Sequence, residues 1–289
     1  MTTSIRCIKP GGNEGRNMRV DLGCGLQKHP DTWGLDKVEY SGVDAVCDFN
    51  KGIPLEDQSV DFLLAAHSLQ YANDLMFVME EIYRVCKHKA VVCILAPYAN
   101  NGYHQANPYY RYLFNEHTPR YLTRDIYEVA EYGYKKEPLS AFNPNPSLII
   151  DFRLIRQEFF YMPEYATPLY EEEDRIILRQ SQLNVVDEIM FHFAVIKEPI
   201  SKEELGEMSR RNLEEPVAAT FKRDSGHSGE LLKIEQQESP AREESVPLHR
   251  TRAAARGSLK PSGKQRGKRR SFHTRQHRRK RERVQKRME

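Results

Sequence analysis

Two glycines and three carboxylates stand where a nucleoside-type ligand could bind. The run Asp21-Leu-Gly-Cys-Gly25 follows a short apolar stretch, and glycines at such a turn let a ligand approach the backbone without meeting a Cβ atom. Asp36 and Asp48 each end a further short apolar run. A carboxylate at the position of Asp36 can accept hydrogen bonds from both ribose hydroxyls, and Asp48 is placed to receive an adenine amino group. An alternative for both is a strand-end cap or turn residue.

The elements that must position these residues are short strands. Five runs are apolar throughout rather than alternating, which predicts parallel strands buried on both faces by helices. Ligands of such sheets bind at the carboxyl ends of the strands. The predicted strands span 18–22, 33–36, 44–48, 59–66 and 90–96.

The later part of the chain predicts the rest of the fold. A helix capped by Asn73 or Asp74 is indicated by apolar residues at three- and four-residue spacing up to Cys86. Further helices are predicted over 123–132 and 171–182, and late strands over 148–160 and 185–196. The predicted fold class is α/β, a Rossmann-like, mainly parallel sheet with an antiparallel edge hairpin and helices on both faces.

The residues after Gly25 distinguish a dinucleotide site from a site for a cofactor without phosphates. A dinucleotide fingerprint needs Gly-x-Gly-x-x-Gly because its pyrophosphate sits on a helix N-terminus. The third position after Gly25 is Lys28, so the third glycine is missing, and a cofactor without phosphates does not need it. The residues from Leu26 to Trp33 include Pro30 and are too few for a full crossover helix, so one turn or a loop is expected there.

In this order, the motifs resemble those of class I S-adenosylmethionine-dependent methyltransferases, closest to the group called type 11-like. The resemblance covers residues 18–97 well and residues 98–200 only in outline. It implies a Rossmann-like fold, S-adenosylmethionine as cofactor and methyl transfer as the reaction. The segments that carry it are Val20-Asp-Leu-Gly-Cys-Gly25, Gly34-Leu-Asp36, Asp48-Phe-Asn50, Ile53 to Phe62, His67-Ser-Leu69, Met79 to Val85 and Ala90 to Pro97.

The resemblance also implies roles for individual residues. Gly23 and Gly25 would line the methionine part of the cofactor, with Asp21 near its amino group. Asp36 would hold the ribose, and Asp48 and Phe49 would flank the adenine. The predicted cofactor site is Asp21, Gly23, Cys24, Gly25, Asp36, Lys37, Asp48, Phe49 and His67. Cys24 is expected to be a small buried residue rather than a reactive thiol.

Methyl transfer needs few catalytic side chains, because in-line positioning of the cofactor and the acceptor supplies much of the rate acceleration. A base is needed only if the acceptor must lose a proton. The predicted catalytic candidates are His67, which follows the fourth strand, and His104; His67 could instead simply line the pocket. His117, Tyr71 and Tyr103 are further candidates. No metal site is predicted, since the five cysteines show no ligand spacing.

Residues 98–120 are rich in Tyr, Asn and His and have no clear periodicity, which is typical of a substrate lid. Tyr109, Tyr110 and Tyr112 could stack on a substrate ring or pack within the insertion. The expected acceptor is a small or sugar-containing molecule bound under this insertion.

Charge and aromatic content predict the domain organisation. Residues 1–200 hold 20 basic against 28 acidic residues, 201–250 hold 8 against 11, and 251–289 hold 16 against 2. All 15 tyrosines and 10 of the 12 phenylalanines precede residue 201, and a segment without such residues buries too little apolar area to fold. The predicted parts are a loose segment 1–17, a domain 18–200, an acidic and mostly disordered linker 201–250 and a basic disordered tail 251–289.

The basic tail suggests partners and two alternative functions. Its charge can attract nucleic acid or another polyanion non-specifically, which allows an RNA or protein methyltransferase tethered by the tail; a solubilising extension is the other interpretation. The body lacks an Asn-Pro-Pro-Tyr type motif and reads His67-Ser-Leu-Gln-Tyr71 there. A non-catalytic binding protein with the same fold is the third hypothesis. Scattered cysteines and no transmembrane segment predict a cytoplasmic protein, or a nuclear one in a eukaryotic host.

Overall fold

The structure is a computed structural model that describes residues 17–124, 127–129, 134–136, 150–227 and 229–233. All of them belong to one compact unit within residues 1–236. The predicted lead-in, apart from its last residue, and the predicted basic tail lie outside the described residues.

The main sheet has eight strands in the order β10-β8-β9-β5-β4-β1-β2-β3. Strands β3, β2, β1, β4 and β5 are parallel, and β9, β8 and β10 continue the sheet antiparallel. The strands are β1 (Met18–Leu22), β2 (Trp33–Asp36), β3 (Ala45–Val46), β4 (Val60–Ala66), β5 (Cys86–Pro97), β6 (Tyr127–Val129), β7 (Tyr134–Lys136), β8 (Phe152–Tyr161), β9 (Val186–Val195) and β10 (Gly229–Lys233). The predicted α/β class, with a mainly parallel sheet and an antiparallel hairpin, is confirmed.

Both faces of the sheet are covered at strand β4, where successive residues are buried, with Phe62 7%, Leu63 0% and Leu64 1% exposed. The helices are α1 (Leu75–Val85), α2 (Gly102–Gln105), α3 (Glu172–Ser181), α4 (Lys202–Arg210) and α5 (Val217–Asp224), with 3₁₀ turns at Phe49–Lys51, Leu69–Tyr71 and Thr118–Tyr121. None of the described helices is long and apolar enough to cross a lipid bilayer.

Helix α1 begins as its sequence predicts. The Asp74 carboxylate accepts hydrogen bonds from the backbone N–H groups of Met76 and Phe77 at 3.0 and 3.1 Å. Such a cap satisfies donors that have no partner within the helix. The helix buries Val78 and Ile82, which follow the three- and four-residue spacing of the sequence.

One predicted helix is wrong. The segment 123–132 contains strand β6, which pairs antiparallel with β7 in a separate two-stranded sheet. Tyrosine and valine at the two ends of this strand are residue types that favour strands over helices.

The folded region continues past the boundary predicted at residue 200. Helix α4 contributes Leu205 and Met208 to a core cluster with Ile155 of β8, and Ala219 of α5 packs among Phe62 and other residues of β4, β5, β8 and β9. Strand β10 then pairs with β8. Residues 201–233 are therefore part of the domain wherever they are described, rather than a disordered linker.

Candidate functional site

The glycine turn after β1 has one tight position and one open position. Gly23 has φ +77°, and a Cβ atom there would lie 2.4 Å from the Cβ atom of Ser68. Gly25 has φ +55°, and a Cβ atom there would meet nothing within 4 Å. Gly23 thus permits the contact between the turn and the residues after β4, while Gly25 borders open space that a ligand could fill.

Asp36 connects the end of β2 to this glycine turn. One carboxylate oxygen accepts the backbone N–H of Gly25 at 2.9 Å, and the other accepts that of Val38, also at 2.9 Å. Each oxygen keeps a further lone pair for a ligand donor. Lys37, the next residue, is exposed.

Asp21 lies in β1, just before the glycine turn, and is only 3% exposed. Its carboxylate accepts the backbone N–H of His29 at 2.8 Å. Burial nevertheless raises the pKa of Asp21 to about 6, since desolvation disfavours its ionised form. Cys24 is also buried, and burial raises the pKa of its thiol to about 11, which suits the predicted inert residue.

The loop from Gly23 to Thr32 consists of turns and bends, as the short spacing predicts. It is held by a residue far along the chain: Glu214, between α4 and α5, lies 2.7 Å from His29 Nε2 and pairs with Arg19 of β1. The segment between α4 and α5 therefore supports the loop from Gly23 to Thr32, which stands where a crossover helix would be usual.

Asp48 and Phe49 lie at the end of β3. Asp48 caps the 3₁₀ turn that Phe49 begins, and its carboxylate accepts the backbone N–H of Asn50 at 3.2 Å. The turn borders a polar cavity of about 370 Å³. The cavity is lined by Lys37, Asp48, Asn50, Tyr71, Asn73, Tyr109 and Arg111.

His67 follows β4 in a left-handed conformation, with φ +52°. Its backbone N–H donates to the Leu95 carbonyl at 2.9 Å, which fixes this sharp turn. Its side chain is 38% exposed, and Nδ1 lies 3.7 Å from a carboxylate oxygen of Glu188. His67 is thus a partly exposed histidine at the carboxyl edge, beside a carboxylate.

His104 of α2 is in a different situation. It is buried, and its Nε2 lies 3.0 Å from both the carboxylate and the backbone carbonyl of Asp187. Asp187 also pairs with Lys222 of α5, and these partners lower the pKa of Asp187 against the opposing effect of burial. Asp187, Glu188 and Lys222 are absent from the sequence prediction. The register of β9 against β5, with Glu188 opposite Pro97, brings the two carboxylates to the carboxyl edge, and Lys222 of α5 contacts them there.

Several buried polar atoms at this edge have no hydrogen-bond partner among the described residues: Ser68 Oγ, Gln70 Oε1, His104 Nδ1 and Glu188 Oε2. Buried polar groups are nearly always partnered in folded proteins. These four atoms are close to the end of β4 and are available to hydrogen-bond a ligand at this edge.

The insertion folds back onto the turn after β4. The backbone N–H of Arg111 donates to the Gln70 carbonyl at 2.8 Å, and that of Ala99 donates to the Phe114 carbonyl at 2.8 Å. Tyr71 and Tyr110 meet edge to face, with ring centroids 5.4 Å apart. Tyr110 is therefore a packing residue, whereas Tyr109 is 76% exposed and borders the cavity.

No group of three or more His, Cys, Asp and Glu side chains suited to a metal ion occurs among the described residues.

No curated protein matches the sequence. A methyltransferase from Archaeoglobus fulgidus, described as SAM dependent, is similar in structure, with 16% identity, 62% of this chain and 86% of that chain covered, and a TM-score of 0.40. A protein from Thermotoga maritima described as a possible histamine N-methyltransferase has 14% identity, 63% and 83% coverage and a TM-score of 0.38.

The family comparison concerns the cofactor half of the sheet. Residues 28–94 match the family model described as a methyltransferase domain, type 11. The match runs from before β2 into β5 and includes Asp36, Asp48 and His67. This part of the chain therefore carries a class I, type 11-like domain of the S-adenosylmethionine-dependent methyltransferases.

Proposed function

We propose that the protein transfers the methyl group of S-adenosylmethionine to a small-molecule or sugar-containing acceptor. The observation that carries this proposal is the polar cavity between the cofactor-side residues Lys37 and Asp48 and the insertion residues Tyr109 and Arg111. A volume of about 370 Å³ is in the size range of small-molecule sites. Lys37 and Asp48 follow the carboxyl ends of β2 and β3, and the glycine turn follows that of β1, so cofactor and acceptor can lie on the same edge of the sheet.

The glycine turn fits the cofactor. The open space at Gly25 would take the methionine part, with the Asp21 carboxylate near its amino group. Asp36 retains lone pairs for the ribose hydroxyls, and Ser68 Oγ lacks a partner beside Gly23. The cofactor supplies a methyl group that its sulfonium has already activated.

The adenine end of the proposed site is formed by Asp48 and Phe49. The second oxygen of the Asp48 carboxylate contacts only the exposed Lys51 ammonium, 3.4 Å away, among the described residues. It can therefore accept the adenine amino group. Cys24 and Lys37, which neighbour Gly25 and Asp36 in the sequence, complete the cofactor site as we propose it.

The residues of the chain then position the acceptor and remove a proton where one must leave. His67 is the proposed base, because it is partly exposed at the carboxyl edge. His104 is buried and held by Asp187, so we propose that it orders the start of β9 instead of reacting.

A methyl-label transfer screen tests the proposal. The full chain is incubated with methyl-labelled S-adenosylmethionine and, separately, with pools of small metabolites, sugars and RNA. We expect label in a small-molecule or sugar pool. Label confined to RNA or protein would overturn this choice of acceptor, and an absence of S-adenosylmethionine binding below about millimolar in calorimetry would favour a non-catalytic binding protein.

The tail supports a second candidate function. Residues 251–289 carry 16 basic and 2 acidic residues, which suits non-specific attraction to phosphates. We therefore propose polyanion contact through the tail, as in an RNA methyltransferase tethered by it. Deletion after Arg250 should abolish salt-sensitive RNA binding and leave cofactor binding unchanged; equal RNA binding by the truncated chain would exclude the tether.

A further inference from the structure

Five titratable side chains meet at the carboxyl ends of β4 and β5. His67 follows β4, His104 lies in α2, Asp187 and Glu188 begin β9, and Lys222 extends from α5. We call them the β9 cluster. Apart from His67, their side chains are largely buried, with 8% of His104, 18% of Asp187, 8% of Glu188 and 16% of Lys222 exposed.

The two carboxylates of the β9 cluster are not equivalent. Asp187 has its partners within the cluster, namely the His104 ring and the Lys222 ammonium. Glu188 places one oxygen 3.2 Å from Lys222 Nζ and 3.7 Å from His67 Nδ1. Its other oxygen, Oε2, is buried without a hydrogen-bond partner.

Two carboxylates, those of Asp187 and Glu188, face the single ammonium of Lys222. One carboxylate oxygen of Glu188 is left without a hydrogen-bond partner among the described residues. An unpartnered buried carboxylate oxygen is costly, because it has lost its water and gained nothing in return. A bound group with a positive charge and N–H donors would satisfy both the charge and the free oxygen, whereas a phosphate or carboxylate acceptor would be repelled.

We propose that Glu188 binds the ammonium group of an amine acceptor and that His67 takes the proton from it. The proposal rests on the proposed function and specifies its substrate class. The His67 imidazole accepts one proton from the ammonium, and the freed nitrogen lone pair forms a bond to the methyl carbon. The carbon–sulfur bond breaks with its electron pair going to sulfur, so the products are the methylated ammonium, protonated His67 and S-adenosylhomocysteine.

The cofactor's own sulfonium is a rival source of positive charge for Glu188. Calorimetry with S-adenosylmethionine and with S-adenosylhomocysteine separates the two, because only the first carries the sulfonium. We expect Glu188→Gln to bind both with unchanged affinity. A selective loss of S-adenosylmethionine affinity, about tenfold or more, would assign Glu188 to the sulfonium and overturn the proposal.

The acceptor class is tested by label transfer from S-adenosylmethionine to a pool of small primary and secondary amines and to a size-matched pool of alcohols. We expect the unsubstituted protein to label the amines. Glu188→Gln should reduce this labelling about tenfold or more, while Glu198→Gln, at an exposed position, should leave it unchanged.

Each other outcome overturns the amine assignment. Label in the alcohol pool alone leaves the proposed methyl transfer standing but rejects the amine. Label in neither pool rejects the amine and contradicts the small-molecule function as well. Amine labelling that is equal in Glu188→Gln, with an unchanged melting temperature, would remove Glu188 from acceptor binding; the wild-type pool preference remains informative if that variant does not fold.

Discussion

Glu214 and His29 lie 2.7 Å apart although 185 residues separate them in sequence. His29 in turn donates its backbone N–H to Asp21, the first acid of the glycine motif. The segment between α4 and α5 is thus linked through His29 to Asp21, at the start of the glycine motif. This relationship explains how a loop without a crossover helix keeps a defined shape.

Replacing Glu214 by Ala should weaken S-adenosylmethionine binding, because Arg19 and His29 lose the carboxylate that orders the loop. Loss of a hydrogen bond from a charged group is worth roughly 1.5–3 kcal/mol, and partial exposure of this pair reduces that to about 1 kcal/mol. Calorimetry of Glu214→Ala against Glu207→Ala, an exposed position on α4, measures the effect. Rescue by Glu214→Gln would identify the hydrogen bond as the cause, and equal affinity of the two alanine variants would show that the loop holds its shape alone.

A chain that ends at residue 236 should fold and bind the cofactor, whereas one that ends at residue 200 should not. The shorter chain lacks Leu205, Met208 and Ala219, which pack in the core. Burial of a leucine or methionine side chain contributes about 1.5–3 kcal/mol, so the loss is a large part of a typical stability of roughly 5–15 kcal/mol. Circular dichroism melts of both chains check this, and a stable chain of 200 residues would restore the predicted linker.

Two glycine variants should have different effects. Gly23→Ala places a methyl group 2.4 Å from Ser68 at φ +77°, which should lower the free energy of unfolding by about 2–4 kcal/mol. The methyl group of Gly25→Ala meets nothing within 4 Å, so the change should lower the free energy of unfolding by only about 1–2 kcal/mol. It should instead weaken cofactor binding, because the methyl group occupies space in the proposed cofactor site. Denaturant unfolding and cofactor calorimetry distinguish them; Gly25→Ala with full affinity would place the cofactor elsewhere.

Asp21 should make stability depend on pH. Its pKa is raised to about 6 by burial, from 3.8, so the folded state holds its proton more tightly than the unfolded state does. The resulting stabilisation is complete below about pH 4 and is lost as pH rises through 6. Asp21→Asn should therefore raise the free energy of unfolding by about 2–3 kcal/mol at pH 7, with no gain at pH 4.

Cofactor calorimetry on the same variant tests its function. Asp21→Asn should bind S-adenosylmethionine more weakly at pH 7, since the carboxylate no longer pairs with the amino group. The exposed Glu39→Gln is the control. A stability difference that is the same at pH 4 and pH 7 would mean that folding does not raise the pKa of Asp21.

Asp36→Ala should weaken S-adenosylmethionine binding by about 1–3 kcal/mol, because the ribose hydroxyls lose their acceptor. The same change removes the acceptor of the Gly25 N–H, so its effect includes some loosening of the turn. Glu39→Ala, at an exposed position shortly after β2, is the matched control in calorimetry. Unchanged affinity would remove Asp36 from the cofactor site.

Local sequence patterns were sufficient to predict the part of the fold that carries the proposed cofactor site, from β1 to β5. Strands β1, β2 and β4 appear close to their predicted bounds because short apolar runs must be buried on both faces wherever they occur. The cap at Asp74 and the loop after Gly25 follow from neighbouring residues alone. The carboxyl-edge location of Asp36 follows in the same way, since parallel strands end at the same edge.

The C-terminal part was misjudged because composition averages over a segment. Residues 201–227 are charged and poor in aromatics, yet Leu205 and Met208 recur at helical spacing and are buried. A few apolar residues suffice when a sheet face already exists to receive them. The composition of residues 201–227 alone does not show that a sheet face is available to bury their apolar side chains.

By itself the sequence determined the α/β fold, the glycine turn and the acids at the strand ends, because these depend on residues close together in the chain. Only the tertiary structure decided which distant groups complete the site. Glu188 reaches His67 through the register of β9, and Lys222 reaches Glu188 through the position of α5. Glu214 reaches His29 from the segment between α4 and α5. Contacts over such separations are fixed by packing of the whole domain, so no local pattern encodes them.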